Sequence, residues 1–400
     1  MSTSRYDSEF VLNPHARRLP ESHPLSAPLA FHRSLAGYRP TPLRQAPGIA
    51  RRLGVGEVRV KVESNRFGLP AYKILGASWA IARELASTPD VPSAPRDFKE
   101  WRGQVAQLGP CTLVAATDGN HGRAVARVAH WLGLSAEIFV PDNMTAARRA
   151  AIASEGASVK PVHGSYDDAI EAAAATTASA MFEDARRLIQ DTAWPGYERV
   201  PAWIVEGYGT IFQEVDEQVA ADGADPPDLV LVQIGVGSLA AAVVRHFAGG
   251  EGPRPRLVGV EPHGADCLLR SARAGSSVTV AEPHRSSMAG LNCGTPSSVA
   301  LPVLLNGMDA FVSIPDEAAY EAMRMLAQQG IVAGESGAAS LGGLISVLDE
   351  PARDETLGIH ADSRILIIVT EADTDPEAYT RAVGATSDEV RRRAVSDPVS

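Results

Sequence analysis

Two α/β domains built on mainly parallel sheets are the fold this sequence predicts, on three observations. From residue 58 onward, short apolar runs alternate with stretches of helical periodicity, the order expected of βαβ units with right-handed crossovers. One run, Leu229-Val230-Leu231-Val232-Gln233-Ile234, is apolar almost throughout, as a strand covered on both faces must be. Finally, 400 residues with 45% hydrophobic content supply core material for two or three domains.

The elements follow in order. Residues 1 to about 50 are rich in Pro and Arg with weak periodicity, and read as an arm with short elements that would suit a dimer interface. Residues 58–63 alternate apolar and charged, which predicts a half-buried strand. A loop leads to Lys73 and a helix over 77–85. Strands are expected at 112–116, 136–140, 158–162 and 188–191, with helices at 123–132, 145–155 and 166 to about 185. After a helix over 203–220 come strand 229–234, a helix over 240–247 and strand 256–261. A late strand, 364–369, ends at Thr370-Glu371. The predicted division is a discontinuous large domain, 1–85 with 208–400, and a small α/β domain, 86–207.

Composition excludes several classes. A formal net charge of −11 lacks the basic stripe of a general nucleic-acid binder. No run approaches eighteen apolar residues, so no membrane span is expected. The first residues are polar, without the apolar core of a signal peptide. Three widely spaced cysteines, Cys111, Cys267 and Cys293, fit neither a disulfide framework nor a metal pattern, and suit a reducing cytoplasm.

Chemistry concentrates at three places. Lys73 lies between Tyr72 and Ile74-Leu75 at a helix start. An apolar setting there is expected to lower the lysine pKa and free the amine as a nucleophile or Schiff-base former. The plainer alternative is a side chain whose stem is buried and whose head stays wet. Thr117-Asp118-Gly119-Asn120-His121-Gly122 follows a strand and opens a helix, where donors suit a substrate carboxylate. Gly235-Val236-Gly237-Ser238-Leu239 joins a buried strand to a helix, and its backbone donors suit a phosphate. The same turn, read as Gly235-x-Gly237-x-x-Ala240 with Glu261 ending the next strand, also matches a dinucleotide fingerprint. On that stretch alone an NAD-dependent dehydrogenase stays open.

Taken in order, these motifs resemble the fold-type II pyridoxal-phosphate enzymes, the group of tryptophan synthase β, threonine dehydratase and cysteine synthase. Phe67-Gly68-Leu69, Ala116 through Arg123, Gln190-Asp191-Thr192-Ala193-Trp194, Met288 through Gly294 and Gly334-Glu335-Ser336-Gly337-Ala338 are similar to segments of the diaminopropionate ammonia-lyases within that group. The resemblance runs from about residue 58 to about residue 376. It departs mildly at Val236 and Ser238, where many relatives carry glycine, and at Gly76-Ala77-Ser78, which stands in place of Gly-Gly-Ser.

The resemblance implies a homodimer with pyridoxal 5'-phosphate in the cleft between two domains, and no metal. It implies that Lys73 forms the Schiff base and that Asn120 bonds the cofactor's ring oxygen. Gly235, Val236, Gly237, Ser238 and Leu239 would hold the phosphate. Thr370 would face the ring nitrogen as a neutral partner, which favours elimination over transamination. Thr117, Asp118, Gly119 and His121 would bind the substrate, with His121 also fitting a structural role. Asp118 stands where threonine dehydratase-like enzymes have a small neutral residue. With Asp191 it makes two acids for a substrate with two ammonium groups, either able to take the Cα proton. Helix N-cap and turn roles are the alternatives for these two. The implied reaction is α,β-elimination of D- or L-2,3-diaminopropionate to pyruvate and two ammonia. A hydroxyamino-acid dehydratase or β-replacement enzyme is the nearest alternative.

Overall fold

The computed structural model describes residues 5–17, 26–86, 95–117, 119–178, 185–249, 254–350 and 356–396. The described strands are β1 Glu9–Leu12, β2 Leu43–Gln45, β3 Glu57–Val62, β4 Cys111–Ala116, β5 Ser135–Pro141, β6 Ser158–Val162, β7 Ala185–Leu188, β8 Leu229–Gln233, β9 Arg256–Pro262, β10 Ala310–Ile314 and β11 Arg364–Val369. The chain divides into two compact units.

One unit comprises Met1–Pro24, Pro40–Asn65 and Ile211–Ser400. Its seven-stranded sheet runs β1-β10-β9-β8-β11-β3-β2. The five central strands are parallel, and β1 and β2 close the edges in antiparallel register. Every residue of β8 is buried, which agrees with its unbroken apolar sequence. The helix Glu335–Leu348, almost wholly buried, packs on this sheet and carries its small-residue face against the strands. Gly343 shows why: a Cβ there would sit 2.4 Å from Val260 Cγ2. The strand Ala310–Ile314 carried no expectation from sequence, because its five residues lie among helices of similar apolarity.

β3 differs from the half-buried strand its alternation predicts. Arg59, Lys61 and Glu63 are all buried. Lys61 Nζ meets Glu214 Oε2 at 2.7 Å, Thr41 O at 2.9 Å and Gln218 Oε1 at 2.9 Å, while Thr41 donates to Glu63 Oε1. The charged face is therefore covered rather than wet, and it is tolerated because Arg59 is paired with Glu57 and Asp222, Lys61 with Glu214, and Glu63 is hydrogen-bonded.

The second unit comprises Leu25–Arg39 and Arg66–Thr210, with a four-stranded parallel sheet in the order β6-β5-β4-β7. The expected boundaries, 1–85 and 86–207, need correction: residues 66–85 and 25–39 belong here. Helix Ile74–Ala86 packs against helices Asn120–Leu132 and Ser26–Ser34, and Phe31 meets the rings of Trp79 and Trp101. A Cβ on Gly76 would fall 2.5 Å from Tyr208, so that glycine allows the helix to lie close to helix Arg199–Ala221. The strand expected at 188–191 is β7, displaced toward the N-terminus, so Gln190 and Asp191 follow the strand instead of ending it. The Ala-rich helix spans Tyr166–Ala178.

Both units thread their strands alike. In β6-β5-β4-β7 and in β10-β9-β8-β11 the chain moves outward from one central strand, then returns to its other side. The carboxyl ends of β4 and β7, and of β8 and β11, are thus topological switch points, where α/β sheets bind ligands.

Candidate active site

At the β4/β7 switch point, Lys73 and Asp191 form an ion pair, Nζ to Oδ2 at 2.7 Å. Lys73 precedes helix Ile74–Ala86, and its side chain keeps 22% of its surface exposed against 7% for Asp191. Burial acts to lower the Lys73 pKa, as the sequence leads one to expect. The Asp191 carboxylate and its hydrogen bond outweigh that effect, and the ammonium is held well above the ordinary lysine value. The expectation of a lowered pKa fails because the apolar flanking sequence does not reveal an acid 118 residues away. Burial pushes the Asp191 carboxyl up, but the charges of His121 and Lys73, with hydrogen bonds from Lys73 and Tyr166, bring it well below the usual carboxylate range.

The surroundings hold Asp191 in place. The Tyr166 hydroxyl donates to its Oδ1 at 3.3 Å. Gln190 Nε2 donates to Tyr166 at 2.7 Å, and Gln190 Oε1 accepts from Ala116 N at 3.0 Å, which ties this segment to the end of β4. Tyr72 and Tyr208 stack edge to face at 4.8 Å, and the Lys73 ammonium sits 5.6 Å from the Tyr72 ring centre. Burial drives the Tyr208 phenol far above its ordinary pKa, so it is a neutral neighbour of the lysine. Tyr166 and Tyr208 were not singled out in the sequence; each lies inside a regular helix, and only tertiary packing brings it here.

Of the loop after β4, the structure describes Thr117 and Gly119 to Gly122, while Asp118 lies outside the described residues. Thr117 Oγ1 accepts from Gly119 N at 2.9 Å and Gly122 N at 3.0 Å, shaping the helix start. Gly122 is required by that turn: a Cβ would lie 2.4 Å from Thr117 Cγ2. Gly119 caps the helix at φ 153°, and Asn120 is its first residue. His121 is buried; its Nε2 donates to Ile189 O at 2.7 Å, and its Nδ1 lies 3.8 Å from Asp191 Oδ2. The ring thus faces the acid of the ion pair.

The β8/β11 switch point carries the second set. Gly235 and Gly237 flank Val236, whose carbonyl accepts from Ser297 N at 2.9 Å. Gly237 is the N-cap of helix Ser238–Phe247 at φ 104°, a conformation that favours glycine. The first turn of that helix, with Ser238 and Leu239, presents donors and a positive dipole end to an anion. Gly235 is needed for close packing, because a Cβ there would sit 3.2 Å from both Gly290 O and Cys293 Sγ. Thr370 follows β11 and is nearly fully buried. Ser336 accepts from Gly290 N at 3.1 Å, which joins the Met288 and Gly334 motifs in one place.

Glu261 settles the dinucleotide alternative. Its carboxylate is fully buried and accepts from Leu268 N at 2.9 Å and Leu269 N at 2.7 Å. It is committed to a helix start and offers nothing to a ribose. Taken unit by unit, the groups present are of the kinds pyridoxal phosphate takes: one unit carries the Lys73 amine, and the other carries the helix start at Ser238 and the Thr370 hydroxyl. Among the described residues no group of three potential metal ligands occurs, and no helix is long and apolar enough to cross a membrane.

Comparison with known proteins follows the same line. The family described as "Pyridoxal-phosphate dependent enzyme" matches residues 35–371. The chain is 37% identical over 362 residues to the diaminopropionate ammonia-lyase of Escherichia coli strain K12, covering 88% of this chain and 89% of that protein. The crystal structure of the Escherichia coli enzyme in complex with D-serine is 34% identical, covers 94% of this chain and 97% of that one, and superposes with a TM-score of 0.84. The same enzyme in complex with an aminoacrylate-PLP azomethine reaction intermediate gives 34% identity, the same coverage and a TM-score of 0.82.

Proposed function

This chain belongs to the pyridoxal-phosphate-dependent enzyme family and, within it, to the diaminopropionate ammonia-lyases, and from that premise we propose that it converts 2,3-diaminopropionate and water to pyruvate and two ammonia. The observation that carries the reading to this chain's own residues is the Lys73–Asp191 pair at 2.7 Å, a carbonyl-reactive amine beside an acid at a ligand-binding switch point. Pyridoxal phosphate, when bound, supplies an aldehyde for amines and a ring that takes up the electron pair left at Cα.

The chain's residues do the rest. Lys73 Nζ would hold the aldehyde. The first turn of helix Ser238–Phe247, with Gly235 through Leu239, would hold the phosphate, and Thr370 would take the ring nitrogen. Asn120 would bond the ring oxygen. Asp191, oriented by Tyr166 and facing His121, takes the proton from Cα on one face of the substrate. Asp118 takes it on the other face, so that both enantiomers react. Thr117, Gly119 and His121 shape the loop that receives the substrate carboxylate. The D-serine complex of the Escherichia coli relative keeps serine in view as a competing substrate. A homodimer belongs to the same proposal, and Cys111, Cys267 and Cys293, none of them in a disulfide among the described residues, suit the cytoplasm.

The test is an absorption spectrum of the purified protein, then borohydride reduction and mapping of the modified peptide to Lys73. Pyruvate and ammonia are next assayed with D- and L-diaminopropionate, serine and threonine. Lys73→Ala should lose both the visible band and turnover. A variant that keeps both, or a wild type that releases pyruvate from serine alone, refutes the reading.

A further inference from the structure

Gln233 ends β8 two residues before the phosphate turn begins at Gly235, and it is nearly fully buried. Its Nε2 lies 2.7 Å from Thr370 Oγ1, 3.0 Å from Ser336 O, 3.0 Å from Ile368 O and 3.3 Å from Gly337 O. Three of these four neighbours are main-chain carbonyls, which only accept. An amide turned the other way would set its oxygen against three others, so the neighbours themselves dictate that nitrogen sits here.

A direction follows for Thr370. Gln233 donates and Thr370 Oγ1 accepts, in the shortest of the four contacts. A hydroxyl that accepts still has one hydrogen to give, and among the described residues no acceptor takes it. We propose that Gln233 is a positioning residue: by occupying the acceptor side of Thr370, it commits that hydroxyl's hydrogen to the cofactor's ring nitrogen and keeps the nitrogen an unprotonated acceptor. The inference rests on the proposed function, and specifically on Thr370 as the partner of that nitrogen. Without the Gln233 amide, the carbonyls of Ser336, Gly337 and Ile368 lose a donor, and the Thr370 hydroxyl is free to turn toward them.

The switch-point geometry explains why one side chain can do this. β8 and β11 are parallel neighbours in register at Leu231 and Ile367, which brings residue 233 beside the end of β11. Helix Glu335–Leu348 approaches both strands closely because Gly337 has no Cβ; one would lie 2.4 Å from Glu371 O. Its first-turn carbonyls thereby become the fixed acceptors that orient the amide.

The experiment is a double-mutant cycle on holoenzyme reconstituted with pyridoxal phosphate carrying 15N at the ring nitrogen. Wild type, Gln233→Met, Thr370→Val and the double variant are compared by the 15N resonance and by the cofactor dissociation constant. Gln233→Met should move the resonance and weaken binding about tenfold, the loss of one hydrogen bond. In the Thr370→Val background the same change should leave the resonance in place and alter affinity less than about twofold. Equal effects in both backgrounds mean that Gln233 only supports the fold, and a Gln233→Met protein with wild-type resonance and affinity has no positioning role; either result overturns the proposal. Should Gln233→Met not accumulate, Gln233→Asn, which draws the donor back from Thr370, is read by the same outcomes. A Thr370→Val holoenzyme with an unmoved resonance removes Thr370 as ring partner and this inference with it. A wild type that binds no pyridoxal phosphate refutes the proposed function itself.

Discussion

Replacing Asp191 with Asn separates the two things its carboxylate does. Lys73 Nζ and Asp191 Oδ2 are 2.7 Å apart, worth about 6 kcal/mol of Coulomb energy at an effective dielectric of about 20. The variant does not forfeit all of it, because Lys73 can release its proton. From an ordinary lysine value near 10.4, neutralisation at about pH 7.5 costs about 4 kcal/mol, which caps the loss. An Asn oxygen still accepts one hydrogen bond, so a destabilisation of about 2–4 kcal/mol is expected. All five tryptophans, Trp79, Trp101, Trp131, Trp194 and Trp203, lie between residues 66 and 210. Urea unfolding followed by tryptophan fluorescence therefore reports on the unit that holds the pair. The Asp191 carboxyl is depressed and the Lys73 ammonium raised. The pair's contribution to the wild type is thus full between about pH 4 and about pH 10, while its excess over the variant narrows toward the alkaline end of that window, where the variant's unpaired lysine sheds its proton on folding. It is lost in acid as the carboxylate takes up its proton, and in base as the lysine loses its own. In a Lys73→Met background Asp191→Asn should cost little, since no buried ammonium is left unpaired. Turnover behaves oppositely to amine reactivity. The Lys73 pKa falls, so cofactor is taken up faster near neutral pH, while proton removal by this acid is lost and the rate with one enantiomer drops about 10²–10⁴-fold. An Asp191→Asn apoprotein as stable as wild type, or destabilised equally with and without Lys73, refutes the reasoning.

Two further outcomes follow from groups in the other unit. Burial raises the Glu261 carboxyl to about 8 despite two backbone donors, so folding takes up a proton. Its stability contribution is complete below about pH 4.5, declines as pH rises through about 8, and is constant beyond; calorimetry across that range should find the decline in wild type and not in Glu261→Gln, and identical slopes count against it. Gly337→Ala places a Cβ 2.4 Å from Glu371 O and 3.1 Å from Glu371 N, main-chain atoms that cannot swing aside. A loss of about 1–3 kcal/mol with weaker pyridoxal phosphate binding is expected, and an unchanged dissociation constant would show that the end of β11 absorbs the strain without moving Thr370.

Much of the molecule was legible before its structure. The apolar runs that became β4, β5, β8, β9 and β11 have strand length and are bounded by turns, and the glycine-bearing loops from Thr117 and Gly235 stood directly after β4 and β8. Elements failed where the local pattern was ambiguous. β3 alternates as a half-wet strand does, yet its charged face is covered by partners such as Glu214, far away in sequence. Residues 66–85 were assigned to the wrong unit because helix packing, rather than chain order, decides to which core a helix belongs.

The sequence by itself determined which chemical groups are present and beside which element most of them sit: Lys73 before a helix, the loop from Thr117 after β4, the turn from Gly235 after β8, and Thr370 after β11. Residue type and strand period are local properties, and they are written in consecutive residues. Only the tertiary structure decided that Lys73 is an ammonium paired with Asp191, that Glu261 serves a helix start, and that Gln233 donates to Thr370. Those outcomes depend on distances between groups 7 to 137 residues apart, and on which neighbours can only accept a hydrogen bond. The two outward-and-return sheet orders set those distances, and no window of consecutive residues contains them.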